Sequence, residues 1–279
     1  MIEVNDHQIH IYKNEKKSEP KPTIVLTSGS GTTTPFADFY PLYIKLDINM
    51  HFALYERPGY GWSEDTSSSR DIDTVVKELR ELLQKSQEKP PYIFIGHSMG
   101  TLEIIRYAQL YPEEVKALVM IDGISPQYAK NYQLGKSQYL GWIALKGLRD
   151  FGIMNLLAKT GAMDSLFIDI DGLPQEIQNL KVNMALKNMN NPNMKEELEQ
   201  MSENGETILS SGTIGAIPIL IFSATNNGYD HWEKTQQELL SISTHSKQII
   251  FENTNHYIHH EKSKEIAKEL KQFLTDLEK

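Results

Sequence analysis

The 279-residue chain contains no cysteine. Disulfides, thiolate zinc sites and a cysteine nucleophile are therefore excluded, and the composition fits a reducing compartment. Long apolar runs are missing too. None approaches the roughly 18 residues of a membrane span, and Met1–His7 lacks the basic stretch and apolar core of a signal peptide. Basic residues are in deficit: 28 Lys and Arg stand against 37 Asp and Glu, a formal net charge of −9. That balance makes nucleic acid and anionic membrane poor partners. The Gly-rich turn Ser28–Thr34 has no lysine after its glycines, so it is not a phosphate loop. No His-x-x-x-His falls on a helical stretch and no carboxylate cluster accompanies one, so neither a metal nor a cofactor is expected. These absences describe a protein with no membrane span, expected in the cytoplasm, with its oligomeric state open.

What the chain does contain is a rhythm. Ile2–Tyr12 alternates apolar and polar residues around Asn5-Asp6, as an antiparallel hairpin does. Thr23–Thr27, His51–Tyr55, Pro91–Ile95, Val115–Ile121, Ile217–Phe222 and Gln248–Phe251 are short apolar runs, and each reads as a strand, Thr23–Thr27 and Val115–Ile121 as buried ones. Between them lie amphipathic stretches: Phe36–Leu46, Asp73–Ser86, a run from the elbow to about Tyr111, Trp232–Leu240 and Ser263–Leu277. Strand, helix, strand in alternation implies a parallel sheet with right-handed crossovers and helices on both faces. The rhythm stops between residues 125 and 212. Six of the ten methionines lie there, Met154, Met163, Met184, Met189, Met194 and Met201, with apolar residues such as Trp142, Ile143, Phe151 and Leu156. Adaptable methionines fill core gaps, and they also suit the underside of a cap over a site. The acids of Glu196–Glu206 read as a solvated face, and His259 and His260 as surface residues.

The organising stretch is Pro91–Leu102, an apolar run that passes through Gly96-His97-Ser98-Met99-Gly100 into a helical one. A strand turning sharply into a helix needs small residues on both sides of the turn. The apex residue is then held in a strained conformation that projects its side chain outward. Ser98 at that apex would stand at the start of a helix whose field favours negative charge. A serine hydroxyl becomes a nucleophile once a neutral imidazole takes its proton, and the imidazole is held in one tautomer by an acceptor, usually a buried carboxylate.

In four segments, taken in order, the chain resembles the α/β-hydrolase superfamily over nearly its full length. Gly96–Gly100 matches that family's nucleophile elbow. Leu26-Thr27-Ser28-Gly29-Ser30-Gly31 occupies the place of its oxyanion turn, with serine where histidine is usual. Tyr55–Ser63 resembles its D-x-x-G-x-G-x-S loop. Asn255-His256-Tyr257, before the last helix, resembles its catalytic-histidine turn. The resemblance implies an α/β fold with a mostly parallel eight-stranded sheet flanked by helices, a core of residues 1–124 and 213–279, and a helical cap over 125–212. It also implies Ser98 as nucleophile, His256 as general base and then acid, and the backbone N–H groups of Ser30 and Met99 as the oxyanion hole. Most members carry the triad's acid on the loop after the penultimate strand, but here Ser223–Gly228 offers amides instead. Asp122, at the end of the strand after the elbow helix, is preferred to Asp230 as the acid.

The reaction the resemblance implies is hydrolysis of a carboxylic ester of a small or medium apolar substrate, through an acyl-enzyme. The same residues would serve a thioesterase, lactonase, aminopeptidase or carbon–carbon hydrolase. An elbow serine argues against epoxide hydrolase and haloalkane dehalogenase chemistry, which need an aspartate there. A non-enzymatic or single-turnover receptor for a small-molecule signal is a further alternative on the same fold.

Overall fold

The computed structural model describes residues 1–15, 22–47, 50–160, 170, 172–229 and 231–278. The hairpin is present as β1 (Ile2–Val4) and β2 (His7–Lys13), turned at Asn5 and Asp6, both with positive φ. β3 (Thr23–Thr27) leads to two short helices, α1 (Pro35–Asp38) and α2 (Tyr40–Tyr43). The single helix expected over Phe36–Leu46 is divided because Pro41 in α2 lacks the N–H that a continuous helix would use. β4 (Phe52–Glu56), α3 (Ile72–Lys85), β5 (Tyr92–His97), α4 (Gly100–Leu110) and β6 (Val115–Ile121) follow. Asp71 caps α3, its carboxylate accepting from the Thr74 N–H at 2.9 Å.

Between β6 and the next strand run α5 (Pro126–Asn131), α6 (Lys136–Asp150), α7 (Ile153–Lys159), α8 (Gln175–Asn188) and α9 (Pro192–Ser210). The strand rhythm resumes with β7 (Ile219–Ala224), α10 (Trp232–Leu240), β8 (Ser246–Phe251), α11 (Ile258–Glu261) and α12 (Ser263–Asp276). Met163 and Asp230 lie outside the described residues.

One eight-stranded sheet has the order β1-β2-β4-β3-β5-β6-β7-β8. β2 is antiparallel to β4, and every pairing from β4 to β8 is parallel. The central strands are buried on both faces, so they read as continuous apolar runs. Their side chains alternate between two cores. Val25, Phe94, Leu118 and Met120 meet α3 and α4 on one face. Leu26, Ile95, Val119 and Phe222 meet α2 and α12 on the other. β5 lies mid-sheet with β3 and β6 as neighbours, so the C-terminal ends of these three strands converge at Ser98. Among the described residues no helix is long and apolar enough to cross a membrane.

The helices between β6 and β7 divide by burial. α9 buries Met194, Glu197, Met201, Asn204 and Ile208 along one stripe, whereas α6 buries no residue and α7 only Met154. The apolar residues of α6 and α7 are largely solvent-facing, not an inward surface. Where α9 crosses α5, Gly205 is pressed against backbone: a Cβ there would lie 2.3 Å from the Lys130 nitrogen and 2.6 Å from the Pro126 oxygen. Gly205→Ala should therefore destabilise the protein by about 1–3 kcal/mol through overpacking. Helix propensity pulls the other way by roughly 1 kcal/mol. Thermal denaturation decides between the two effects, and a raised Tm would show that α5 and α9 do not touch as described.

Candidate active site

The elbow explains its own glycines. A Cβ on Gly96 would lie 2.9 Å from the Gly100 carbonyl carbon, and one on Gly100 only 2.6 Å from Thr27 Oγ1. Strand and helix can meet this closely only without side chains. Ser98 between them is half-buried and has φ +50°, a left-handed conformation costing about 1–3 kcal/mol for a non-glycine residue. Hydrogen bonds hold it there. Its N–H donates to the Ile121 carbonyl at 3.1 Å, and its own carbonyl accepts from Thr101 Oγ1 at 2.6 Å and from the Ile124 N–H at 3.3 Å. The end of β6, the segment after it and α4 thus hold the apex residue from both sides. Met99 sits at the N-cap of α4, where a backbone N–H has no partner within the helix.

Asp122 follows β6, fully buried, with φ +43°. Its Oδ1 accepts from the Ala224 N–H at 2.8 Å and Trp232 Nε1 at 2.9 Å. Its Oδ2 faces His256 Nδ1 at 2.7 Å and accepts from Asn227 Nδ2 at 3.1 Å. A carboxylate so deeply buried keeps its charge only when its lone pairs are taken up. Asn227 belongs to the loop after β7, and its amide donates to the Asp122 carboxylate. Asp230, the alternative acid, lies outside the described residues.

His256 is nearly buried, its ring edge-on to Trp232 at 5.5 Å and to Tyr229 at 5.2 Å. With Nδ1 committed to Asp122, Nε2 is the nitrogen left for proton transfer. The His256 backbone is held as well: its carbonyl lies 3.1 Å from His97 Nε2, which donates to it. Burial first, then the neighbouring His259 and His256, holds the His97 imidazole well below its usual pKa. A neutral ring donating through Nε2 is the result. The residue beside Ser98 therefore tethers the loop that carries His256, a link invisible in the sequence.

The turn after β3 completes the convergence. A Cβ on Gly29 would come within 3.0 Å of Ser98 Cβ and 3.1 Å of His97 Nδ1, so only glycine lets the turn lie against the elbow. Arg57, fully buried, holds the turn from behind. Its Nη1 donates to the Ser28 carbonyl at 3.0 Å and its Nη2 to the Gly29 carbonyl at 2.8 Å. The Gly31 N–H donates to the Tyr60 hydroxyl at 3.2 Å, and that hydroxyl donates to Glu197. The Ser28 and Gly29 carbonyls are thus held by Arg57 and the Gly31 N–H by Tyr60. Ser30, on this turn, is half-buried.

Two carboxylates neutralise Arg57. Nη1 pairs with Glu103 of α4, which also accepts from the Tyr55 hydroxyl at 2.7 Å. Nε lies 3.0 Å from Glu197 Oε1 of α9 in an ion pair not aligned as a hydrogen bond. Burial raises the pKa of Glu197 despite the opposing pull of Arg57 and the Tyr60 hydroxyl. Glu197 is not on a solvated face, as the run of acids implied. It is 3% exposed, three residues after Met194 and four before Met201, so the apolar spacing of α9 is the signal that marks it.

His259 and His260 also depart from the surface reading. His259 is fully buried, and its Nε2 lies 3.0 Å from Asp38 Oδ2, while His260 Nε2 lies 2.9 Å from Oδ1. Burial opposes ionisation of Asp38, but the two imidazoles outweigh it and hold its pKa well below the usual range. Among the described residues these three form the grouping whose donor atoms lie close enough for a metal ion. A ligating imidazole normally gives its second nitrogen a partner, and His259 Nδ1 has none. Asp38 already accepts from both rings, and the grouping reads as a hydrogen-bonded brace under the His256 loop.

A sheet of this order, a strained serine at the central strand's end and a carboxylate–imidazole pair beside it define a class of protein. Residues 46–263 match the family described as the alpha/beta hydrolase fold, and the chain belongs to that superfamily. Membership supports a hydrolase. Among individual proteins, the chain is 30% identical over 231 residues to the uncharacterized protein YbdG of Bacillus subtilis (strain 168), covering 83% of this chain and 70% of that one. In fold it is similar to a putative lipase from Acinetobacter baumannii AYE, with a TM-score of 0.73, 20% identity and coverage of 99% and 90% of the two chains. It is also similar to the enol-lactonase from Burkholderia xenovorans LB400, with a TM-score of 0.64, 17% identity and coverage of 98% of each chain.

Removing Arg57 should expose what it balances. Arg57→Met leaves two buried carboxylates without their cation and should cost about 3–5 kcal/mol of stability. Adding Glu197→Gln should return part of that loss. Chemical denaturation of the single and double variants measures both. If Arg57→Met is as stable as the parent, the network does not hold the turn.

Proposed function

We propose that the protein is a serine hydrolase that cleaves carboxylic esters of small or medium apolar acids through an acyl-enzyme. The observation that carries this reading is the 2.7 Å contact between His256 Nδ1 and the fully buried Asp122, on a loop tethered to the residue beside Ser98. Ser98 Oγ would attack the ester carbonyl while His256 Nε2 takes its proton, and Asp122 would stabilise the imidazolium. The N–H groups of Ser30 and Met99 would receive the charge developing on the carbonyl oxygen. His256 would then return the proton to the departing alcohol. Water, activated by the same imidazole, would release the acid and restore Ser98.

The candidate substrate space is a cavity of about 210 Å³ beside the turn after β3, where Ala185, Met189 and Met194 face Thr32 and Thr33, with Asp38, Lys181 and His260 also in its wall. In this reading residues 125–212 act as a cap, and α8 and α9 supply its substrate-facing surface. Methionines there would adapt to acyl groups of differing shape. Thioester or lactone substrates would use the same machinery.

Ser98→Ala should abolish labelling by a fluorophosphonate and lower hydrolysis of a short aryl ester by about 10³-fold or more with the fold intact. Mass mapping of the label to another serine would refute the assignment, and labelling without steady turnover would favour a single-turnover receptor. Asp122→Asn should lower kcat by about 10²- to 10⁴-fold with KM little changed, whereas Asp230→Asn should stay within about 3-fold. The reverse ranking, with both variants folded by circular dichroism, would move the acid to Asp230.

A further inference from the structure

The hairpin of α6 and α7 stands apart from the rest of the molecule. Leu140 and Leu156 are each 65% exposed, and Phe151, at the tip between the helices, is 86% exposed. Ile143, Ile153 and Leu157 are exposed apolar residues of the same two helices. Among the described residues α6 contributes no buried residue and α7 only Met154. α6 is held to the end of α8 and the residues after it by polar contacts. Arg149 Nη1 donates to the Met189 carbonyl, and Asn190 Nδ2 donates to the Trp142 carbonyl at 3.2 Å. Gly152, with φ +74°, makes the tight reversal that puts Phe151 at the tip. A continuous apolar face of this kind marks an interaction surface.

Charge decides what it meets. Residues 136–159 carry Lys136, Lys146, Arg149 and Lys159 against one acid, Asp150. The whole chain has a formal net charge of −9, so this hairpin is a cationic island on an anionic protein. Overall charge argues against an anionic membrane as partner, but overall charge does not describe this face. An amphipathic helix with aromatic and aliphatic residues on one side and flanking Lys and Arg lies in the plane of a bilayer interface. Anionic headgroups attract the cations at short range, while the acidic remainder is repelled and kept outside. In a two-fold contact with a second copy, the same patch would face itself and bring like charges together.

We propose that the α6–α7 hairpin is a peripheral docking surface for anionic lipid, with Phe151, Leu140 and Leu156 entering the headgroup boundary. This docking is independent of the hydrolytic reading and is tested without it. The full chain is sedimented with vesicles of phosphatidylcholine alone and of phosphatidylcholine with about 30 mol% phosphatidylglycerol. The bound fraction should be about fivefold or more higher on the anionic vesicles and should fall as salt is raised. Leu140→Gln/Phe151→Gln/Leu156→Gln should lower binding about tenfold or more. Lys136→Glu/Lys159→Glu should abolish the preference for anionic vesicles and serves as the second arm if the triple variant does not fold. Absence of binding by the parent chain, or parent-like binding by the folded variants, overturns the proposal. So does light scattering that shows a dimer dissolved by the triple variant without vesicle binding by the parent, which would make the face a contact between copies.

Discussion

Arg57 is the constraint on which the rest of the site depends. One guanidinium, removed from water, touches two carbonyls of the turn after β3, a carboxylate on α4 and a carboxylate on α9. Burying a charge costs several kcal/mol, and a buried ion pair rarely adds stability over an apolar replacement. What such a pair can do is fix geometry. A planar fork with donors in set directions satisfies those four partners in one arrangement only. The carbonyls of the turn are held away from Ser98, α4 is held at the angle that presents its N-terminus, and α9 is fastened across the top.

A second set of contacts makes the opposite edge equally rigid. Asp122 draws together β7, the Asn227 loop, Trp232 and His256, and His97 ties the His256 loop to the elbow. Asp38 braces the same loop from below through His259 and His260. Strain at Ser98 and Asp122, both with positive φ, is tolerable because each is overdetermined by neighbours. Rigidity at both edges is what an electrostatic site requires, since donors already in place need no reorganisation when charge develops.

The helices between β6 and β7 have two characters. α9 and the end of α8 are bound to the core by buried polar groups: Glu197, Asn188, Asn191, Asn193 and Asn204 each reach a partner outside their own helix. α6 is tied through Arg149 and the Trp142 carbonyl to Met189 and Asn190, and most apolar residues of α6 and α7 face outward. One part of the insertion is thus fastened to the core, and the other exposes its apolar residues. A cationic hairpin on an anionic chain would orient the molecule at an anionic surface without requiring net positive charge.

Local pattern alone determined the architecture. Apolar runs at strand length, amphipathic stretches between them and glycines flanking a serine were sufficient for the parallel sheet, its order of elements and the position of the elbow. These are short-range signals, set by side-chain period and backbone sterics. The preference for Asp122 came from the resemblance instead, because Ser223–Gly228 offers amides where most members carry the acid. Which histidines and acids were buried could not be read from residue type, although the apolar spacing of α9 runs through Glu197. Glu197 looked like its exposed neighbours, and His259 like a surface residue, because burial of a polar side chain depends on partners far away in sequence: Arg57 is 140 residues from Glu197, and Asp38 is 221 residues from His259. The apolar residues of α6 and α7 failed in the opposite sense, since amphipathic spacing shows that a helix has an apolar face but not what lies against it. Tertiary structure decided both, because the cost or gain of burial is settled only when distant elements meet.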